Sequence, residues 1–197
     1  MTFDFDQIID RRGTSSIKWE YRSEHGISRH WNDTDPGRGD DQILPMWVAD
    51  MDFRCPQQVV DALSDHVRHG IYGYTGRSES YLQAAVNWMG QRHGWSVDPE
   101  WILTVAGVVP TLNMAVRSFI RPGEKVLIQP PVYHPFYKSI ANNGGKIVTN
   151  PLILNDGNYE MDFSDLEKKA SDPAVKLAIL CSPHNPVGRI WTEAELR

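Results

Sequence analysis

Residues 177–188 constrain the fold more than any other stretch, because an apolar run stops there abruptly in a proline-rich polar segment. Residues 178–180 are apolar at successive positions, which is typical of a strand covered on both faces. Pro183 and Pro186 lack a backbone N–H and favour extended backbone in the residue before each. The stretch predicts a buried strand with a stiff loop beyond its carboxyl end. There Asn185 either contacts a ligand or only builds a turn.

The rest of the chain supports an α/β fold, because short apolar runs alternate with amphipathic patterns from residue 78 onward. Prolines and glycines mark the helix ends, as at Pro56 and Gly70. Strands are predicted at 101–105, 125–129, 147–149 and 175–181, and helices at 56–70, at 78–93, from Pro110, around Phe136 and at 163–170.

Composition excludes several function classes. The net charge is −5 with scattered basic residues, which argues against a nucleic-acid or anionic-membrane surface. No apolar run approaches the length of a membrane span. The first residues carry acid where a secretory signal carries base, so a cytoplasmic location is expected.

Cysteine and histidine usage predicts neither a disulfide framework nor a metal site. Cys55 and Cys181 are the two cysteines and are expected to be reduced thiols. His66 and His69 lie one helical turn apart, but no third ligand accompanies them, so a solvated helix face is expected instead of a metal centre.

Two further patterns leave alternatives open. Asp50 and Asp52 follow a largely apolar stretch and stand two positions apart. They are either acid–base or metal-binding carboxylates, or they tie down a loop. Gly107 between a predicted strand and a predicted helix suits an anion cradle, because a helix start presents unpaired N–H groups. The alternative is an ordinary strand-to-helix turn. Tyr133, after the strand at 125–129, either stacks on a planar ligand or packs in the core.

Five motifs in a fixed order resemble one family. They are Ala-Asp-Met-Asp-Phe at 49–53, Tyr-Gly-Tyr at 72–74, Ala-Gly-Val-Val-Pro at 106–110, Pro-Pro-Val-Tyr-His-Pro-Phe-Tyr at 130–137 and Cys-Ser-Pro-His-Asn-Pro-Val-Gly-Arg-Ile-Trp at 181–191. The chain is similar to the fold-type I pyridoxal phosphate enzymes of aminotransferase class I/II. Among them it most resembles the MalY/PatB-type cystathionine β-lyases, also called cysteine-S-conjugate β-lyases.

The resemblance implies a fold. It is a PLP-dependent transferase (fold type I) major domain, with an incomplete mixed sheet flanked by helices and preceded by an N-terminal small-domain segment. The expected division is residues 1–45 for the N-terminal segment and its loop, and residues 46–197 for the first half of the cofactor-binding domain.

The resemblance also implies roles for particular residues. Gly107, Val108 and Val109 would bind the phosphate of pyridoxal 5'-phosphate through backbone N–H groups. Tyr133 would stack on the pyridine ring, and Asn185 would hydrogen-bond the phenolic oxygen of the cofactor. Tyr74 would reach the cofactor phosphate of the neighbouring subunit, which implies a homodimer. Residues 47–52 would lie near the substrate mouth.

The family's catalytic groups are not expected in this sequence. The lysine that forms the Schiff base, the aspartate that pairs with the pyridine nitrogen and the arginine that binds the substrate carboxylate belong to the family's second half. All the lysines here fall outside that lysine motif. Thr192 and Glu195 begin a helix with a capping box just before the sequence stops, which favours a fragment. We expect the fragment alone to be inactive.

The activity implied for the intact protein is carbon–sulfur β-elimination on cystathionine or a related cysteine conjugate, releasing a thiol, pyruvate and ammonia. The partner is then a small amino-acid substrate. Two alternatives stay open: a PLP-dependent aminotransferase that uses the same cofactor site, and a non-catalytic regulatory or binding protein.

Overall fold

The computed structural model describes residues 4–24, 27–30 and 45–197. The chain divides into two units, Met1–Gly76 and Arg77–Arg197. This division follows Gly76, whereas the domain boundary expected from the sequence follows residue 45. The expected boundary concerns the domains of the larger family fold and stays a prediction.

The first unit contains short elements and one long helix. α1 (Ile17–Glu20) leads into an antiparallel ribbon of β1 (Tyr21–Glu24) and β2 (Ile27–His30). α2 (Gln57–His69) follows Pro56 and ends at Gly70, whose φ of 71° is a left-handed conformation that glycine adopts without strain. The predicted bounds of this helix are confirmed. The ribbon was not predicted.

Two helices open the second unit. α3 (Glu79–His93) begins at Ser78, whose hydroxyl accepts the N–H of Tyr81 at 3.2 Å, and it ends before Gly94. A 3-10 helix (Pro99–Trp101) and an irregular segment lead to α4 (Val108–Phe119). α4 starts at Val108, so the predicted start at Pro110 is wrong by two residues. Proline fits the first turn of a helix, where its missing N–H breaks no hydrogen bond.

The predicted strand at 101–105 is wrong. Most of its residues lie outside regular structure, and Leu103 and Val105 are exposed. A strand needs a neighbour to bond its N–H and C=O groups, and within the described residues no strand pairs with this segment. The β-rich composition alone therefore did not produce a strand.

The sheet of the second unit is parallel. Its strands are β3 (Lys125–Ile128), β4 (Lys146–Thr149) and β7 (Val175–Ala178), in the order β4-β3-β7. The predicted strand at 175–181 is thus shorter than expected. Since β3 and β7 run parallel, the segments that follow them leave the sheet at the same edge.

Helices complete the α/β arrangement around the sheet. α5 (Pro135–Asn142) connects β3 to β4, and α6 (Phe163–Ala170) precedes β7 with the predicted bounds. α7 (Glu193–Leu196) begins with the predicted capping box of Thr192 and Glu195. β5 (Ile153–Asn155) and β6 (Asn158–Glu160) form a hairpin that the sequence reasoning missed. The predicted α/β class is confirmed.

The core lies between the sheet and helices α4 and α5. Its buried members are apolar and come from α4 and its end, from β3, from the loop after β3 and from α5: Val116, Ile120, Val126, Ile128, Val132, Phe136 and Ile140. Only the short segment 120–124 separates α4 from β3, and both contribute to this core, so the chain must reverse between them. The start of α4 is therefore directed toward the edge where β3 ends.

Candidate functional site

Tyr133 lies in the segment that follows β3 at the carboxyl edge of the sheet. Its ring packs partly against the core and meets Phe136 edge to face, with ring centroids 6.1 Å apart. Part of the ring stays accessible. Both expected roles of Tyr133 are therefore compatible with its position: core packing fixes one part of the ring, and the accessible part can stack on a planar ligand.

Asn185 lies in the loop after β7, at the same edge. The loop closes on itself, because the N–H of His184 donates to the Arg189 carbonyl at 2.7 Å and the Gly188 N–H donates to the His184 carbonyl at 2.7 Å. The Asn185 N–H points inward to the sulfur of Cys181 at 3.3 Å. Its side-chain amide is exposed and has no hydrogen-bond partner among the residues that the structure describes. The amide is free to bind a ligand.

A side chain that the sequence reasoning did not single out joins these two loops. His184 is buried, and its Nε2 lies 3.0 Å from the carbonyl oxygen of Pro131, 53 residues away in the sequence. The peptide bonds before Pro131, Pro183 and Pro186 are cis. His184 stands inside the motif at 181–191, but no local pattern distinguishes a buried histidine from an exposed one, so only the contact identifies it.

The start of α4 presents backbone donors. The N–H groups of Gly107, Val108 and Val109 have no acceptor within the described residues, because the first hydrogen bond of the helix runs from the Thr111 N–H to the Gly107 carbonyl at 3.2 Å. Gly107 has a φ of 153°, which a residue with a Cβ rarely adopts. Unpaired N–H groups together with the helix dipole favour an anion at this place.

Tyr74 belongs to the first unit. Its side chain is fully exposed, and no hydrogen bond of its hydroxyl occurs within the described part of the chain. Tyr74 is the one predicted site residue that belongs to the first unit. The other predicted site residues belong to the second unit.

Asp52 is a carboxylate of the first unit that accepts hydrogen bonds from three side chains, all more than 30 residues away in the sequence. Lys18 donates to it at 2.6 Å, Trp19 Nε1 at 2.8 Å and Arg11 at 2.9 Å, and Arg11 also pairs with Asp50 at 2.5 Å. The hydrogen bond from Lys18, followed by those from Trp19 and Arg11, holds the pKa of Asp52 well below its usual range. The interpretation that these carboxylates tie down a loop is confirmed.

Metal ligation has no support within residues 4–24, 27–30 and 45–197, where no three His, Cys, Asp or Glu side chains gather at a distance that would hold an ion. Over the same residues, no helix is both long and apolar enough to cross a bilayer.

The groups at the edge of the second unit suit one kind of ligand. Backbone N–H groups bind an anion such as phosphate, an accessible aromatic ring stacks on a planar ring, and an amide bonds an oxygen on that ring. A planar heteroaromatic molecule that carries a phosphate uses all three, so the donor set fits such a group.

Comparisons with known proteins agree with this chemistry. A family described as aminotransferase class I and II matches residues 42–197. Cystathionine beta-lyase PatB of Bacillus subtilis is 47% identical over 194 residues, which cover 98% of this chain and 47% of that protein. Protein MalY of Escherichia coli is 29% identical over 195 residues, with coverage of 98% and 47%.

A solved structure is also similar over the whole chain. Cystalysin from Treponema denticola, whose crystal structure contains a pyridoxal 5'-phosphate cofactor, matches with a TM-score of 0.86 and 38% identity, covering 100% of this chain and 47% of that chain. The chain spans about half the length of the curated relatives it matches.

Proposed function

Because the chain belongs to the aminotransferase class I and II family, we propose that the protein containing it is a pyridoxal 5'-phosphate-dependent carbon–sulfur β-lyase. Its substrate is cystathionine or a related cysteine S-conjugate, and its products are a thiol, pyruvate and ammonia. The observation that carries the proposal is the 47% identity to a cystathionine β-lyase over 98% of the chain. The donor set at the edge of the second unit supports the choice of cofactor.

Each predicted site residue has a binding role in this proposal. The N–H groups of Gly107, Val108 and Val109 hold the phosphate at the start of α4, where the helix dipole favours its negative charge. The Tyr133 ring covers one face of the cofactor ring. The Asn185 amide donates a hydrogen bond to the phenolic oxygen, which holds the ring in one orientation.

When bound, pyridoxal 5'-phosphate supplies an electron-withdrawing ring that delocalises the electron pair left at the substrate α-carbon. The residues of this chain prepare that chemistry by orientation. With the phosphate at α4 and the phenolic oxygen at Asn185, the two ends of the cofactor are fixed relative to the sheet edge. Tyr133 excludes water from one face of the ring, which strengthens the hydrogen bond at Asn185.

The proposal includes a homodimer. Tyr74 would bind the phosphate of the cofactor held by the second copy, which is consistent with its full exposure in one chain. Val59, Leu63 and Val67 of α2 lie four residues apart and are all exposed. An apolar stripe of this kind favours burial against another surface. The mass of the full-length protein in solution, measured by light scattering, tests the dimer; a monomer at micromolar concentration would refute it.

Cofactor binding is tested by adding pyridoxal 5'-phosphate to the full-length apoprotein and following its visible absorbance. Asn185→Ala should weaken binding by about tenfold or more, since it removes a hydrogen bond to a charged oxygen. Asn158→Ala is the matched control, because Asn158 is exposed in the β5–β6 hairpin and should leave the affinity unchanged. Equal affinities of the two variants would contradict the role of Asn185.

The reaction is tested with the same preparation. Release of pyruvate from cystathionine without an added keto acid supports the lyase. An aminotransferase is the second candidate, because the residues described above hold the cofactor and not the substrate side chain; it would instead require a keto acid as amino acceptor. Tight cofactor binding with neither activity would favour the regulatory alternative.

A further inference from the structure

His184 is a buried polar side chain to which the proposed function assigns no part. It is 1% exposed, and its Nδ1 has no hydrogen-bond partner within the described residues. A polar side chain at such a position costs free energy unless at least one of its hydrogen bonds is kept. Among the residues that the structure describes, the one hydrogen bond of its side chain joins Nε2 to the carbonyl oxygen of Pro131.

That hydrogen bond has a defined direction. A carbonyl oxygen only accepts, so Nε2 carries the proton and donates to Pro131 at 3.0 Å. Within the described residues the Pro131 oxygen has no other donor. The preceding carbonyl, that of Pro130, accepts the N–H of Leu152 at 2.7 Å. The two carbonyls before Val132 are thus bonded by two different segments of the chain, at Leu152 and at His184.

The His184 ring cannot turn freely. The Trp191 ring stands against it at 5.5 Å between centroids and at 88° between planes. Trp191 is itself buried and donates from Nε1 to the Cys181 carbonyl at 2.9 Å, and the Arg189 guanidinium lies over the Trp191 ring, 4.8 Å from its centroid. The two backbone hydrogen bonds with Arg189 and Gly188 fix the main chain of His184.

The bond joins the two loops that carry the ring-binding groups. Asn185 directly follows His184, and Tyr133 lies two residues after Pro131. Neither of these two side chains bonds the other loop in the structure. The strands before the two loops, β3 and β7, pair in the sheet. Beyond the sheet, the hydrogen bond from His184 to Pro131, called the His184 bridge below, is the one hydrogen bond between residues 130–134 and 181–191 of the described chain.

We propose that His184 is a positioning residue of the cofactor site, which sets the Tyr133 loop and the Asn185 loop at the spacing that one ring-shaped ligand requires. The inference deepens the proposed function and rests on it for the identity of the ligand. The bridge itself is a property of the protein without cofactor.

The test compares two amide variants in the full-length protein. In His184→Gln the amide nitrogen reaches nearly the position of Nε2 and can donate to Pro131. In His184→Asn it reaches only the position of Nδ1 and cannot. The measurements are amide hydrogen exchange of the apoprotein at residues 132–134, and the dissociation constant of pyridoxal 5'-phosphate.

We expect His184→Asn to speed exchange at 132–134 by about tenfold and to weaken cofactor binding by about tenfold, as loss of one buried hydrogen bond allows. His184→Gln should stay within about threefold of the wild type in both. Exchange in α6 should not change. Equal behaviour of the two variants, or faster exchange in α6 to the same extent, would overturn the proposal.

Failure of the proposed function can be distinguished from failure of the His184 bridge. If the wild-type protein binds no pyridoxal 5'-phosphate, the proposed function fails, while the exchange comparison still decides the bridge. If His184→Asn yields no folded protein, exchange in wild-type apoprotein at increasing denaturant decides it: a bridge requires residues 132–134 and 184–189 to open with the same denaturant dependence. Different dependences would refute the bridge.

Discussion

Each of the two units of this chain is stabilised internally by a different kind of interaction. Among the first-unit residues whose side chains the structure describes (4–21, 30 and 45–76), Ser16 alone is buried. Distant parts of its sequence are joined by the hydrogen bonds of Asp52 with Lys18, Trp19 and Arg11 and by an edge-to-face contact of Phe5 with Phe53. The second unit has an apolar core between its sheet and helices α4 and α5. The groups proposed to bind the cofactor, apart from Tyr74, belong to this second unit.

The difference shows what each kind of interaction can do. Close packing fixes positions firmly, because a displaced side chain loses many contacts at once. Partly exposed ion pairs contribute less and depend on salt and pH. Close packing in the second unit is therefore suited to a site that is proposed to hold a rigid ring. In the first unit, Asp52 with its donors Arg11, Lys18 and Trp19, here called the Asp52 cluster, fastens residues 46–53 to the N-terminal segment.

The largest expected effect comes from the core itself. Ile140→Ala removes a side chain that is 0% exposed and should lower the free energy of unfolding by about 3 kcal/mol, since it leaves a cavity. Ile8→Ala makes the same chemical change in the first unit, where Ile8 is 96% exposed. It should cost less than about 0.5 kcal/mol. Denaturant unfolding measures both, and similar losses would erase the contrast between the units.

The next largest loss of stability is expected when the buried hydrogen bonds of Asn150 in the second unit are removed. Asn150 is fully buried; it accepts from Gln129 at 3.1 Å and donates to the carbonyl of Asp162 at 3.0 Å and to Asp165 at 2.8 Å. Asn150→Ala leaves Gln129 without this partner and should cost about 2 kcal/mol. Asn158→Ala in the exposed hairpin is the control and should be neutral in the same unfolding experiment. A neutral Asn150→Ala would mean that water replaces the lost bonds.

A smaller effect tests how closely the core is packed. A Cβ on Gly145 would lie 2.7 Å from Ile120 Cδ1 and 2.9 Å from Ile140 Cγ2. Gly145→Ala should therefore destabilise the protein by about 1 to 2 kcal/mol. At Gly90 in α3 a Cβ would meet nothing within 4 Å, so Gly90→Ala should stabilise by roughly 0.5 to 1 kcal/mol. Thermal unfolding midpoints measure both variants: the midpoint should fall for Gly145→Ala and rise for Gly90→Ala. A stabilising Gly145→Ala would show that the core has unused room.

The smallest effect concerns the Asp52 cluster and depends on pH. The folded pKa of Asp52 lies below its unfolded value, so its contribution is complete above about pH 4 and declines as the pH falls through the folded pKa. Asp52→Asn should speed amide exchange at residues 46–53 at neutral pH and should reduce the acid sensitivity of that loop.

Asp10→Asn provides the matched control for Asp52. Arg12 lowers the pKa of Asp10 to about 2, through its side-chain hydrogen bond first and then through its backbone N–H. Arg12 is only two residues away, so this pair fastens no distant segment. Exchange at residues 46–53 should not respond to Asp10→Asn. If both variants loosened the loop equally, general charge and not the Asp52 contacts would hold it.

The sequence predicted the elements whose signals are local. Pro56 and Gly70 bound α2, the helix predicted at 163–170 is α6, and the Thr192–Glu195 capping box begins α7. The family resemblance, carried by motifs in order, is confirmed by the family match. The roles of Gly107, Val108, Val109, Tyr133, Asn185 and Tyr74 remain predictions.

One missed element had a local signal. Asp156 and Gly157 both have positive φ at the turn of the β5–β6 hairpin, and Asp-Gly is a strong sequence signal for such a turn. The flanking strands are only three residues each, without clear alternation. The sequence therefore contained the turn but not enough pattern to predict its strands.

The sequence by itself determined the helix ends marked by proline, glycine and capping residues, and the apolar segments that became β3, β4 and β7, because these signals lie within a few residues of each other. Tertiary structure alone decided which segments meet. It gave residues 102–105 no partner strand within the described part of the chain, brought three donors to Asp52 from 33 to 41 residues away, and set His184 against Pro131 across 53 residues. Such contacts follow from packing of the whole chain, because their free energy outweighs loop-closure entropy only when many form together.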